Sequence, residues 1–149
     1  MRLPSASRVL VIASQTADSP ELARAVALRA DEGPCAFTLL VPATARILRP
    51  VVGSGDGRDA AAEARLEAAI PILSEAAGAP IIGVVGSSEP LIAVQDALEL
   101  LGFDEVIVSM LPVRRSRWFQ IDLPRQVRAL GVPVSEVICS EHQFDGSAA

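Results

Sequence analysis

Five short runs rich in β-branched and other apolar residues recur along the chain, and they constrain its fold more than any other feature. They lie at residues 8–14, 35–41, 81–85, 105–109 and 132–138. Short runs of this kind indicate strands that are buried on both faces, as in a parallel sheet. Because only 3% of the residues are aromatic, we expect a core built from Val, Leu, Ile and Ala.

Helix start and stop signals separate the runs. Ser19 can cap a helix with Pro20 in its first turn, and Gly33 ends that helix. Asp122 and Pro124 repeat this start signal for a helix over residues 123–130. We therefore predict a helix before the second strand and another before the last.

The two remaining helices are predicted from similar signals. The Ala-rich segment 59–77 ends at Gly78, and Pro71 inside it should kink this helix or divide it in two. Ser88 is expected to cap the next helix, which runs to Gly102.

The strict alternation of strands and helices predicts an α/β fold. We expect an open, mostly parallel five-stranded sheet with right-handed crossovers and helices on both faces, a Rossmann-like arrangement. The 149 residues fit one domain, with loose ends at residues 1–7 and 140–149.

Charge and composition exclude several classes of function. The net charge is −5 and all 13 basic residues are arginine, so we expect no nucleic-acid partner and no Schiff-base lysine. No apolar run approaches the ~18–20 residues of a membrane span, and the N-terminus lacks the apolar segment of a secretory signal. We therefore expect a cytoplasmic protein without a membrane partner.

No group of residues indicates catalysis or a metal site. Cys35 and Cys139 are interpreted as reduced, mostly buried thiols, in preference to a disulfide or a catalytic thiol. The single histidine, His142, lies in the tail, so neither a cysteine nor Ser109 has an obvious histidine partner. We predict no catalytic residue and no metal ligand.

Ligands of such sheets bind outside the carboxyl ends of the strands. This rule selects residues 14–18, 41–42, 86–89 and 109–122. Ser14 and Thr16 are candidate ligand contacts, with helix capping as the favoured alternative. Gly86 and Ser87 could offer N–H and hydroxyl groups to the same ligand.

The segment after the fourth run combines three arginines with the only tryptophan. Arg114, Arg115 and Arg117 could hold a phosphate while Trp118 stacks on a base. The alternative is a solvated turn whose Trp118 and Phe119 pack under the sheet edge.

The stretch from Pro42 to Asp59 contains glycine at alternate positions, 53, 55 and 57. No strand feeds it directly and no lysine follows, so we interpret it as a long flexible connection in preference to a phosphate-binding loop.

From Arg8 to Ile138 the chain resembles the universal stress protein (UspA-like) family. The segment from Gly86 to Pro90 resembles the start of that family's helix after the third strand. The segment from Phe103 to Met110 resembles the strand that enters its glycine loop, G-x2-G-x9-G-(S/T). Residues 14–16, Ser-Gln-Thr, replace the family's Asp-Gly-Ser turn.

The resemblance implies a dimer and, as ligand, ATP or another adenine nucleotide, with the backbone of Val41 near the adenine. By spacing, the three glycines of the loop fall on Ser109, Pro112 and Asp122, and the final Ser/Thr falls on Leu123. Because no glycine remains, the sequence does not favour ATP, and the arginines would have to replace the backbone contacts.

We predict a non-enzymatic stress-response or regulatory domain that forms a homodimer through its last strand, residues 132–138. Its ligand would be a nucleotide or phosphate. A nucleotide or phosphate-ester hydrolase is one alternative, with Asp18, Glu89 and Asp122 as candidate acids. The other is a protein-interaction module built on residues 110–119, and the exposure of Trp118 separates it from a nucleotide site.

Overall fold

The computed structural model describes residues 6–43, 48–51, 59–112 and 117–139. Six strands form one sheet in the order β3-β4-β2-β1-β5-β6. The strands are β1 (Ser7–Ile12), β2 (Cys35–Pro42), β3 (Arg49–Val51), β4 (Ile82–Gly86), β5 (Glu105–Met110) and β6 (Val134–Ile138). All pairs are parallel except β3 with β4. The predicted fold class is confirmed, and β1 begins at Ser7, inside the end that we expected to be loose.

Five helices connect the strands in the described part of the chain: α1 (Pro20–Asp31), α2 (Ala60–Ala77), α3 (Pro90–Leu100), α4 (Arg117–Gln120) and α5 (Leu123–Arg128). Apolar residues of α1 and α2 pack on one face of the sheet, while those of α3 and α5 pack on the other. The sheet is thus buried on both faces, which explains why its central strands are continuously apolar.

The predicted strand count of five was low by one. β3 lies in the stretch that we interpreted as a long irregular connection, and it adds an antiparallel edge strand. Its Arg49 Nη2 lies 2.9 Å from Asp59 Oδ2 and 2.8 Å from Glu63 Oε2, so an ion-pair cluster ties the strand to the start of α2. A three-residue strand has too little pattern for sequence reasoning to find. The glycines at 53–57 lie outside the described residues.

Pro71 does not divide the predicted second helix, because α2 continues unbroken from Ala60 to Ala77. Pro71 and Glu67 are both exposed, so water can reach the Glu67 carbonyl that proline leaves without an N–H donor. Gly78, at φ +75°, ends the helix in the left-handed conformation, as predicted.

Two of the three predicted serine and aspartate caps are present. Ser19 Oγ accepts a hydrogen bond from the Leu22 N–H at 3.1 Å, and Asp122 Oδ1 accepts one from the Arg125 N–H at 3.4 Å. Ser88 does not cap α3, because the N-cap residue is Glu89, which makes no side-chain cap. The predicted N-cap of this helix was therefore one residue too early in the sequence.

Gly83 allows α2 to pack closely on β4. A Cβ atom at this position would lie 2.7 Å from Ile70 Cδ1 and 3.0 Å from Leu66 Cδ2. A side chain here would push α2 away from the sheet, so glycine is required by packing and not by backbone conformation.

Candidate functional site

The strand order places a switch point between β1 and β5. From β1 the chain proceeds to β2 and β4 on one side, then returns to β5 on the other side of β1. Ligands of open α/β sheets bind at the carboxyl ends of the two strands that flank such a point. A cavity of about 210 Å³ lies there, and we call it the first cavity. It is lined by Ser14, Gln15, Thr16, Ser109, Met110, Leu111, Arg117 and Trp118.

Buried hydroxyl groups line the inner wall of the first cavity. Thr16 lies in the turn after β1, where the Ala17 N–H donates to the Ser14 carbonyl and the Ser19 N–H donates to the Thr16 carbonyl. This turn brings Thr16 Oγ1 to 2.6 Å from Ser109 Oγ near the end of β5. Thr16 is only 2% exposed and Ser109 only 1%.

A fully buried thiol, that of Cys139, lies next to this pair of hydroxyl groups. Cys139 follows β6, and its N–H donates to the Met110 carbonyl at 2.8 Å. Its Sγ lies 3.5 Å from Ser109 Oγ and 3.1 Å from Ser19 Oγ. Sequence reasoning placed Cys139 in the core without a role, because no local pattern signals a contact between residues 30 and 120 positions apart.

Arg117 and Trp118 form the outer wall of the first cavity. Arg117 is exposed at the first position of α4, and Trp118 is half-buried against the apolar cluster that lies on the α3 and α5 face of the sheet. Trp118 thus packs on the core and also borders the cavity, and its stacking on a base stays a prediction. Arg114, Arg115 and the side chain of Phe119 lie outside the described residues.

A second cavity of about 520 Å³ adjoins the first and shares Ser14 and Gln15 with it. Its remaining lining comes from Ala17, Asp18, Ala64, Arg65 and Ala68. The three α2 residues were missed because, in the sequence, they belong to an ordinary solvated helix face. Only the packing of α2 beside the turn after β1 makes them part of a cavity wall.

Three other predicted contacts line neither of these cavities. Val41 is fully buried, and a Cβ atom at Gly86 would lie 3.2 Å from Leu48 Cδ1, so this glycine has a packing role. Ser87 Oγ accepts a hydrogen bond from the Glu89 N–H at 3.1 Å. Their contacts with a ligand stay predictions.

The candidate acids of the hydrolase alternative start three different helices or turns. Asp18 is exposed beside the second cavity, Glu89 precedes α3, and Asp122 precedes α5. Within residues 6–43, 48–51, 59–112 and 117–139, no three His, Cys, Asp or Glu side chains are grouped to hold a metal ion.

Two groups with shifted pKa values lie at the opposite edge of the sheet. Arg29 donates to Glu105 through Nε at 2.7 Å and Nη2 at 3.1 Å, and this hydrogen bonding raises the pKa of the guanidinium. Burial raises the pKa of the Cys35 thiol, and Arg29 partly opposes this effect. Both residues lie near the amino-terminal ends of the strands, away from the cavities at the carboxyl ends.

Comparison with solved structures confirms the fold. A protein of the universal stress protein family from Burkholderia pseudomallei superposes with a TM-score of 0.51 and 16% sequence identity. The alignment covers 88% of this chain and 95% of the other. The chain has a universal-stress-protein-like fold. No protein-family model matches the sequence, and no curated protein sequence does either.

Within the described residues, none of the helices is both long and apolar enough for a membrane span.

Proposed function

We propose that the protein is a non-enzymatic, universal-stress-like regulatory or stress-response domain that binds a nucleotide or another phosphate-bearing small molecule. The first cavity is the observation that carries this proposal. It lies at the switch point of the sheet, and three hydroxyl side chains, a guanidinium and an indole border it. The proposed location is the cytoplasm.

The lining of the first cavity suits phosphate oxygens. Ser14, Thr16 and Ser109 supply hydroxyl groups, and Arg117 supplies a cation that can donate to anionic oxygens. A volume of about 210 Å³ is small beside the ~300–1,000 Å³ of typical ligand pockets. A nucleotide would therefore place its phosphate in the first cavity and extend past Ser14 and Gln15 into the second.

The backbone at Asp122 supports the family resemblance at the position of a missing glycine. Asp122 has φ 52°, and it is the only non-glycine residue with positive φ in the described part of the chain. Glycine adopts this left-handed conformation without strain, whereas aspartate adopts it with a cost. At this one position the backbone thus has a conformation that suits glycine, while the aspartate adds a negative charge that opposes phosphate.

A thermal-shift screen with inorganic phosphate, AMP, ADP, ATP and cyclic nucleotides tests the proposed ligand class. A ligand at 100 times its Kd should add ~2.7 kcal/mol to the free energy of unfolding. The absence of any shift at millimolar ligand would overturn nucleotide or phosphate binding. Assaying phosphate release in the same samples tests the non-enzymatic part, because turnover would favour the hydrolase alternative.

The proposed homodimer forms through β6. This strand is at one edge of the sheet, where β5 is its only partner strand among the described residues, and its Ile138 is 43% exposed. An open strand edge with an exposed apolar residue is suited to pairing with a second copy. Light scattering should give twice the monomer mass, and Ile138→Lys should lower it. A monomer at high micromolar concentration would contradict this part of the proposal.

A further inference from the structure

Four buried groups beside the first cavity form a continuous polar chain: Ser19, Cys139, Ser109 and Thr16. None is more than 3% exposed. Each carries one hydrogen that it can donate, whereas the chain has three links. One hydrogen therefore remains after the three links are made, and any one of the four groups could carry it.

The two ends of this chain differ in what surrounds them. Ser19 Oγ already accepts a hydrogen bond from the Leu22 N–H at 3.1 Å, and Ser19 borders neither cavity. Thr16 lines the first cavity. Within the described residues, a hydrogen left over on Ser19, Cys139 or Ser109 would be buried with no acceptor outside the three links. One left over on Thr16 can reach a ligand or water in the first cavity.

We propose that the hydrogen bonds of this polar chain all point from Ser19 toward Thr16. The Thr16 hydroxyl then donates to the ligand and selects a hydrogen-bond acceptor at that point. Ser19 donates to Cys139 Sγ, the Cys139 thiol donates to Ser109 Oγ, and Ser109 donates to Thr16 Oγ1. Cys139 is then a positioning residue, because it acts on the ligand only through Ser109 and Thr16.

The ligand chemistry that follows is an anionic oxygen, since Thr16 donates from inside the cavity and Arg117 lies at its outer wall. A ligand group that has no lone pair, such as an ammonium, would leave the Thr16 hydrogen without an acceptor and is therefore disfavoured at this point. This selection rests on the proposed function, but the direction of the chain does not.

Infrared spectroscopy of the S–H stretch tests the direction of the hydrogen bonds in this polar chain without any ligand. The measurement uses full-length protein carrying Cys35→Ala, so that Cys139 is the only thiol. Ser109→Ala removes the acceptor of the thiol, so the S–H band should move to the position of a thiol that does not donate. Ser19→Ala leaves that acceptor in place, so the band should stay at the position of a donating thiol. The reverse pattern, or a band unchanged by both substitutions, would overturn the proposal. Ser19→Ala decides the direction alone if Ser109→Ala does not fold.

Binding of inorganic phosphate and AMP, measured by calorimetry, tests the selection. Thr16→Val should weaken binding about tenfold, while Thr16→Ser should stay within about twofold of the native affinity. Cys139→Ala should also weaken it, because Thr16 can then turn its hydrogen to Ser109, and Cys139→Ser should restore it.

Equal binding by Thr16→Val and Thr16→Ser would overturn the role of Thr16 in selection. If the native protein binds neither probe, the proposed function fails, while the infrared result still decides the direction of the chain.

Discussion

Thr16 Oγ1 and Ser109 Oγ lie 2.6 Å apart, although 93 positions separate the two residues in the sequence. β1 and β5 are neighbouring parallel strands in which Ile12 pairs with Val108, so the turns that follow the two strands lie at the same edge of the sheet. The contact therefore follows from strand order. It also marks the inner wall of the cavity at which we propose that a ligand binds.

Arg117 should contribute to phosphate binding. Arg117→Ala is expected to weaken binding of the ligand found in the thermal-shift screen about tenfold, because a charge-assisted hydrogen bond is lost. Arg24→Ala is the matched control, since Arg24 is exposed on α1 and lines neither cavity. Calorimetry measures both, and equal affinities for the two variants would place the anion contact elsewhere.

Gly83→Ala should lower the free energy of unfolding by roughly 1–3 kcal/mol, because its Cβ would crowd Ile70 Cδ1 at 2.7 Å. Ile70→Val removes that atom. The cost of Gly83→Ala should therefore be smaller in the Ile70→Val background, as measured by urea unfolding of the four proteins in the cycle. Strictly additive costs would show that the close approach of α2 and β4 does not limit this position.

Pro71→Ala should stabilise the protein by roughly 1–3 kcal/mol, because it restores an N–H donor and removes a clash inside α2. Pro20→Ala is the control, since proline in the first turn of α1 replaces an N–H that has no helical partner. Because Pro20 is exposed, that control should change the free energy of unfolding by less than ~0.5 kcal/mol. Equal effects of the two substitutions in urea unfolding would contradict the prediction.

Raising the pH should weaken the fold through Cys35. Because burial raises the pKa of its thiol, the folded protein keeps the proton where the unfolded chain has already lost it. The unfolded state then binds fewer protons, so the free energy of unfolding falls as the pH rises above about 8, where the unfolded thiol begins to lose its proton. The sequence contains no Lys and no Tyr, which leaves few other groups to titrate in this range.

Cys35→Ala should make this pH dependence shallower. Urea unfolding at several pH values compares the two proteins, and identical slopes would exclude Cys35 as the cause.

Local signals account for most of the fold that could be predicted. Ser19 and Asp122 cap helices as expected, because a cap depends on residues three positions apart. Ser88 failed as a cap because helix starts are uncertain by a residue or more from sequence. β3 was missed because a strand of three residues at a sheet edge has no periodicity to recognise.

The sequence by itself determined five of the six described strands, the four longer helices and their order, and hence an α/β fold. It also predicts ligand contacts at the carboxyl ends of the strands. These properties depend on short apolar runs and helix caps, which are read within a few residues. Only the tertiary structure decided which strand ends are neighbours. By placing β5 beside β1 and β6 beside β5, it joined Thr16, Ser109 and Cys139 into one buried chain, through contacts that no local pattern encodes.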